Sequence, residues 1–588
     1  MNSKITRWTI DLAALLAIVF LAIGCSKSKV YKPGYDITSS GASAPTPGYI
    51  DQGWNHDTSM EWWYTSQGSR IIPYDWFRAL ERADSEEMFN AKTNLEERLR
   101  FIGRPADPKW NPDGLPIGFT VDKAANGTRY FGVTCAACHT GRLEYQGKAV
   151  LVEGGPSLAD FDGLISGIGQ SLQATLDDDN KFARFASRVL GANANAASVA
   201  ALKDQVKQVT GPLAQRIKVN DPPYPSGYGR LDAFGNIFNE GSVFSINEPS
   251  NAKPANAPVS YPVVWDAAQH DILQWNGSAV NAGIGSYVRN TGEVVGVFGD
   301  LRVHETTVAG KKKLRYDHHI NVPALVRLEA ILTTLSSPTW PESVLPPIDK
   351  AKADLGKQLY EKNCVSCHAN INRADPNRHI AARMIPVTEV GTDPIMATNP
   401  ATSVSKTGIM EGQLMIPITK YLPSLGVIDV FGPQAPTQKV VGNGILGVLR
   451  DELGLVKFAS GLPGYVKAAK ANALFENCDP KKEGAKCIRP PRYKARPLNG
   501  IWASAPFLHN GSVPNLNELL KKPDLRVAKF HVGSWEFDPV NVGFSTEAGP
   551  NTSEFDTSQP NNSNRGHDFG TSLSDAEKAE LIEYIKTL

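Results

Sequence analysis

Apolar residues fall on one helical face only in separated stretches of this chain. From Ala351 to Asn363, Leu355, Leu359 and the ring of Tyr360 share a face, which predicts a helix running directly into Cys364. At the C-terminus, Ser574-Asp575-Ala576-Glu577 has the form of a capping box, and the helix behind it carries Leu581, Ile582, Ile585 and Leu588. Helical patterning also covers Asp75–Arg82, Glu86–Arg100, Leu158 to about Leu176, and an Ala-rich run from Ala183 to Val209. A β-prone alternation, Tyr130–Thr134, leads into Cys135. Asn111-Pro112-Asp113-Gly114, Gly154-Gly155-Pro156 and Ser336-Ser337-Pro338 mark turns and breaks. The pattern predicts a mainly α, loop-rich fold with little β structure.

The N-terminus is patterned differently. Lys4 and Arg7 precede an apolar run, Leu12 to Ile23, that ends in Gly24-Cys25. This is the form of a secretory signal over residues 1–24, and the run is short for a membrane span. Cys25 follows Ala22-Ile23-Gly24, which resembles a lipoprotein lipobox with Ala22 where leucine is usual. The expectation is a lipid anchor on Cys25, in the periplasm. Ser26 in place of Asp favours the outer membrane. Residues 25–59, rich in Ser, Gly, Pro and Ala, are expected to be a flexible tether. From Met60 the aromatics Trp62, Trp63, Tyr64, Tyr74, Trp76 and Phe77 begin a packed domain. A domain boundary near Pro347 divides it into residues 60–347 and 348–588.

Composition narrows the class. Hydrophobic residues make up 41% and charged residues 21% of the chain, as in soluble globular proteins. The net charge of +1 and the lack of a basic tract argue against a nucleic-acid partner. The chemistry lies in the 7 cysteines. Cys135-Ala136-Ala137-Cys138-His139 recurs as Cys364-Val365-Ser366-Cys367-His368. Cys-x-x-Cys-His is the attachment signature of c-type haem: the thiols reach the two vinyl groups and the histidine faces the iron. A zinc site would want a second nearby pair, and neither motif has one. Two covalently bound haem c groups are expected. A helix into the motif with a closing helix across it is the cytochrome c arrangement. Two such domains are expected, the first enlarged by loop-rich insertions. Cys478 and Cys487 are placed to close a small disulfide loop in an oxidising compartment.

Several segments resemble the di-haem cytochrome c peroxidase superfamily, most closely its rubber oxygenase branch. They are Tyr64-Thr-Ser-Gln-Gly68, Ile72-Pro-Tyr-Asp-Trp-Phe77, Gly227-Tyr-Gly-Arg-Leu-Asp-Ala233, Trp265-Asp266, Trp275-Asn-Gly277 and, most of all, Arg496-Pro-Leu-Asn-Gly-Ile-Trp-Ala-Ser-Ala-Pro-Phe-Leu-His-Asn-Gly511. The resemblance implies an open or weakly ligated first haem, on His139, that works on O₂ or H₂O₂. It implies a six-coordinate second haem on His368. A tryptophan stands between the haems in this group, and Trp265 is the candidate, with a plain core aromatic as the other reading. His270 is a rival sixth ligand to the first haem. The peroxidases' distal methionine has no counterpart, since no methionine follows Met415; His567, His531 and His509 are the alternatives, His567 standing just before the last helix. Three activities follow: oxygenation of an apolar unsaturated substrate (polyisoprene or fatty acid), H₂O₂ reduction with electrons from a small donor protein, or electron transfer without catalysis. A Ca²⁺ between the domains, found in some relatives, stays open.

Overall fold

The chain enters the fold as a strand. The structure, a computed structural model, describes residues 47–415, 430–472 and 491–588. The strands of its first part are Gly48–Tyr49 (β1), Ile72–Pro73 (β2), Phe119–Lys123 (β3), Arg129–Val133 (β4), Thr140–Tyr145 (β5) and Lys148–Glu153 (β6). They make two three-stranded sheets, ordered β1-β6-β5 and β2-β4-β3. β5 and β6 form a hairpin closed by Gln146 and Gly147, both left-handed at φ 48° and 75°, the conformation that matches hairpin twist.

Two expectations change here. The first Cys-x-x-Cys-His is flanked by strands β4 and β5 and not by a leading helix, so the little-β expectation fails around it. The strands are short, and β6 is buried along five consecutive residues, 149–153, so it shows no alternation to read. The tether expected over 25–59 gives way before Gly48. Tyr49 stacks on Trp63 at 6.1 Å. The buried Gln52 amide donates to the Glu153 and Ser336 carbonyls at 2.8 and 3.0 Å. Cys25, Cys478 and Cys487, with the lipid-anchor and disulfide expectations they carry, lie outside the described residues.

Helices build the rest. His56–Tyr64 (α1), capped by Asn55, buries Met60, Trp62, Trp63 and Tyr64. The Glu86–Arg100 pattern becomes one wide turn at Thr93–Arg98. The Leu158–Leu176 helix appears as Phe161–Asp177. The long Ala-rich helix breaks at Gly191, φ +52°, into Asp179–Leu190 and Ala196–Asn220. Then come Ala233–Asn239 (α2), Gly285–Gly296 (α3), Val322–Leu332 (α4), Lys350–Asn363 (α5), Thr437–Glu452 (α6), Leu455–Ala471 (α7) and Asp575–Thr587 (α8).

α5 runs into Cys364 as its periodicity predicts, and α8 starts on its capping box: Ser574 N–H donates to the Glu577 carboxylate at 2.8 Å, and Glu577 N–H to Ser574 Oγ at 3.3 Å. The two helices cross at Gly356, where a Cβ would overlap the Glu580 carbonyl. A side chain there would force the axes apart. Leu581, Ile582 and Ile585 are buried beneath the crossing. One apolar cluster contains Trp63, Val152 and Trp265 together with Tyr360, Trp502 and Leu581. The core is therefore continuous across position 347.

Candidate haem centres

Both Cys-x-x-Cys-His segments fold into the same turn. His139 N–H donates to the Cys135 carbonyl at 2.9 Å, and His368 N–H to that of Cys364 at 2.9 Å. Each imidazole is then aimed by a backbone carbonyl. Nδ1 of His139 lies 2.8 Å from Pro262 O, and Nδ1 of His368 lies 2.7 Å from Arg496 O. A carbonyl only accepts, so both Nδ1 atoms carry the proton and both Nε2 atoms are left for a metal. Burial pushes the His139 pKa down to about 4 and lowers that of His368 as well, which favours the neutral, ligating form.

Beyond this turn the sites diverge. His139 and Cys135 line a cavity with Trp62, Gln67, Leu273 and Leu328 on its walls. Its described lining contains no imidazole besides His139 and no methionine. Lys494 and Arg496 also line it. Burial, reinforced by Arg496 and Arg289, pushes the Lys494 ammonium down to about 7. Cations crowded into one wall fit a ligand that brings its own carboxylates, as haem does.

At the second site another imidazole arrives from the opposite side. Gly566 and His567 are both left-handed, φ 77° and 53°, and His567 N–H donates to Val390 O at 2.7 Å. The Arg526 guanidinium ties the loop by donating to the Asn564, Gly566 and His567 carbonyls. The His368 and His567 ring centroids are 6.2 Å apart. An iron bonded to two imidazoles at roughly 2 Å each separates their centroids by about 6 Å. His567 Nδ1 is buried without a hydrogen-bond partner, a cost that a bound group at this ring offsets. The other two candidates sit elsewhere. His509 stacks on Tyr493 at 4.1 Å and shares a 3.1 Å hydrogen bond with its hydroxyl. His531 lies in the strand Lys529–Val532, paired with Ser553–Asp556.

Residues 492–531, which include Lys494 and Arg496, match the RoxA-like, cytochrome c-like family. The chain is also 31% identical to the uncharacterized protein y4iJ of Sinorhizobium fredii (strain NBRC 101917 / NGR234), over 92% of this chain and 93% of that protein. This chain belongs to the RoxA-like cytochrome c family. A second protein of the same organism, the uncharacterized protein y4iM, is 33% identical over 118 residues, 16% of this chain and 27% of that one. As a RoxA-like cytochrome the chain carries covalently bound haem c, and its family is one of haem oxidoreductases.

Trp265 of this RoxA-like chain is buried against Arg496. It is 1% exposed, and it follows Pro262, which aims His139. Its Nε1 donates to Asn499 O at 3.0 Å. The Arg496 guanidinium lies 5.7 Å from the Trp265 ring centre. Arg496 thus touches both sites: its carbonyl aims His368, and its side chain lines the His139 cavity. His270 is buried with Nδ1 unpartnered. It lines a different cavity, with Asp271, His379 and Met384, so the structure does not bring it to His139.

Sequence reading missed Lys494, Arg496, Gln274 and Glu293. Arg496 stood at the head of the strongest motif. The others sent no signal, being single polar residues in a strand, a loop and a helix. Gln274 is left-handed at φ 66° and donates to Glu293 at 2.6 Å; both line the His139 cavity. Burial raises the Glu293 carboxyl above its ordinary value, against Arg289 and the Gln274 bond, so it tends to keep its proton. Among the described residues no three His, Cys, Asp or Glu side chains converge, which leaves the Ca²⁺ idea without a side-chain cluster. No described helix is long and apolar enough to cross a membrane.

Proposed function

We propose that this protein is a di-haem oxidoreductase of two cytochrome c-like domains that activates O₂ at the haem held by Cys135, Cys138 and His139. The substrate is an unsaturated apolar molecule of the polyisoprene or fatty acid type. One observation carries the reading: a single imidazole fronts a cavity at the first site, and two imidazoles face each other across 6.2 Å at the second. An iron with a free face binds O₂, and its surroundings decide between binding and activation.

The chain's residues do the rest. Cys364 and Cys367 would attach the second haem, and His368 and His567 would hold its iron and exclude exogenous ligands. Trp265, buried between the sites, is the path for electrons. Lys494 and Arg496 face the carboxylates of the first haem. Leu273, Leu328 and Trp62 exclude water. Cleavage of a carbon–carbon double bond by O₂ to two carbonyls balances without a further reductant. The protein works in the periplasm, lipid-anchored at the outer membrane.

H₂O₂ reduction is the second reading. It is favoured by the Glu293 carboxyl in the same cavity, placed to hold a proton during O–O cleavage, with electrons supplied through the second haem by a small donor protein. The deciding experiment measures haem count and ligand binding first. Denatured protein retains two haems by mass, and the reduced protein binds one CO. It then offers ¹⁸O₂ with polyisoprene or oleate, and separately H₂O₂ with a reduced cytochrome. Carbonyl products carrying ¹⁸O establish the oxygenase. H₂O₂-dependent oxidation of the cytochrome establishes the peroxidase. No CO binding removes both.

A further inference from the structure

One segment, Pro262 to Asp271, is held at both ends. At its start the Pro262 carbonyl aims His139, and Pro262, Val263, Val264 and Ala267 line the first cavity. At its end it pairs with the stretch that follows Cys367-His368. Ile380 N–H donates to Gln269 O and Asp271 N–H to Ile380 O, both at 3.0 Å. Ala382 N–H donates to the Asp271 carboxylate at 2.8 Å.

Asp266 stands at the corner of this segment, left-handed at φ 61°. An aspartate holds that conformation only where its surroundings fix it. Arg378 supplies the hold: its Nε donates to Asp266 Oδ1 at 2.7 Å, and its Nη2 lies 2.5 Å from the same oxygen. The two side chains are 8% and 3% exposed.

The charges around Asp266 are uneven. Arg373 anchors nearby, donating to the Ser337 and Pro338 carbonyls at 3.3 and 3.2 Å. Arg496 lies against the Trp265 ring and lines the first cavity. Burial lowers the pKa of both guanidiniums, Arg496 to about 10, and the Asp266 carboxylate opposes that fall in each. One buried carboxylate thus serves three arginines, Arg378 by contact and Arg373 and Arg496 at longer range. Buried charges are screened little by salt, so the charge of Asp266 reaches the cavity wall through Arg496.

We propose that Asp266 is a positioning residue of the first haem: anchored by Arg378, its carboxylate compensates Arg496 in the cavity wall and so sets the potential of the haem on His139. The assignment rests on a haem at His139 and not on the reaction that haem performs.

The test uses the full-length holoprotein and redox titrations that follow the two haems separately by their optical and paramagnetic signals. Asp266→Asn removes a negative charge and raises the midpoint potential of the first haem. Arg378→Gln leaves the carboxylate without its contact cation and lowers that potential. The double variant returns it towards wild type, and Asp266→Glu, which keeps the charge, stays near wild type. Haem content by mass, measured on every variant, establishes that each is folded and loaded. A fold merely disturbed at this corner would move both single variants in one direction, and that result overturns the assignment. So does an unshifted first haem in loaded Asp266→Asn, or a raised one in loaded Arg378→Gln, each of which decides without the other. A wild-type chain with no haem on Cys135 and Cys138 overturns the haem reading and the proposal with it, and mass alone distinguishes that result from the others.

Discussion

At His139 the imidazole faces a cavity; at His368, built on the same turn with the same carbonyl-aimed Nδ1, it faces His567. The motif alone therefore decides the turn and the aim of one imidazole. What faces that imidazole is distant in sequence: a left-handed Gly566-His567 corner held by Arg526 at one site, and the α3 and α4 walls at the other. The two pockets thus differ in their second walls and not in the signature that announces them.

The most direct way to break the contrast is to open the closed site. His567→Ala should convert the second haem from low-spin to high-spin in electron paramagnetic resonance, and a second CO should bind after reduction. CO binding at the first haem should persist. A second haem that stays low-spin would transfer the ligand role to another residue.

The frameworks around the sites should also respond differently. Gly356→Ala places a methyl group against Glu580 O and should lower stability by about 2–4 kcal/mol in urea unfolding. Gly211→Ala, in the Ala196–Asn220 helix, puts a Cβ where nothing lies within 4 Å. It should be neutral or stabilising by up to about 1 kcal/mol. Equal effects would mean that the α5–α8 crossing is not tightly specified.

Acid should act through the first half of the chain. Hydrogen bonds from Arg184 and then Arg188 hold the Glu81 carboxyl down at about 2, against its burial. Its ordinary value is 4.5. The stabilisation is thus complete above pH 4.5 and is lost as pH falls towards 2, amounting to about 2–3 kcal/mol. Glu81→Gln should lower the urea midpoint at pH 7 and flatten its fall between pH 5 and pH 3. An unchanged pH profile would remove Glu81 from this role.

The smallest expected effect concerns potential. Lys494→Met removes a cation from the first cavity, which favours the oxidised iron. The potential of the first haem should fall by an amount on the order of tens of millivolts, while the second changes less. A larger fall at the second haem would assign Lys494 to the other site.

Much of the second site was legible in the sequence. α5, the capping box of α8 and both attachment motifs are local patterns, and local patterns survive folding. His567 was a choice of position before the last helix, and the structure brings it, not His509 or His531, to His368. The first site was less legible. Its flanking strands are too short or too buried to alternate. Glu293 and Lys494 gain their meaning from residues hundreds of positions away. In sequence Trp265 was the candidate tryptophan between the haems and His270 a rival feature, a sixth ligand to the first haem. The fold places Trp265 against Arg496, while His270 turns towards a different cavity.

Lys494 and Arg496 have a consequence for how the protein matures. They line the cavity of the first haem, yet they are made more than 350 residues after Cys135. During synthesis, the first attachment motif is exposed long before its own pocket can close. Haem joined to Cys135 and Cys138 at that stage waits on an unfinished wall, and a fragment ending at residue 347 lacks that wall altogether. The two halves can be numbered separately along the chain, but the first haem's surroundings are completed only by the last third of the polypeptide.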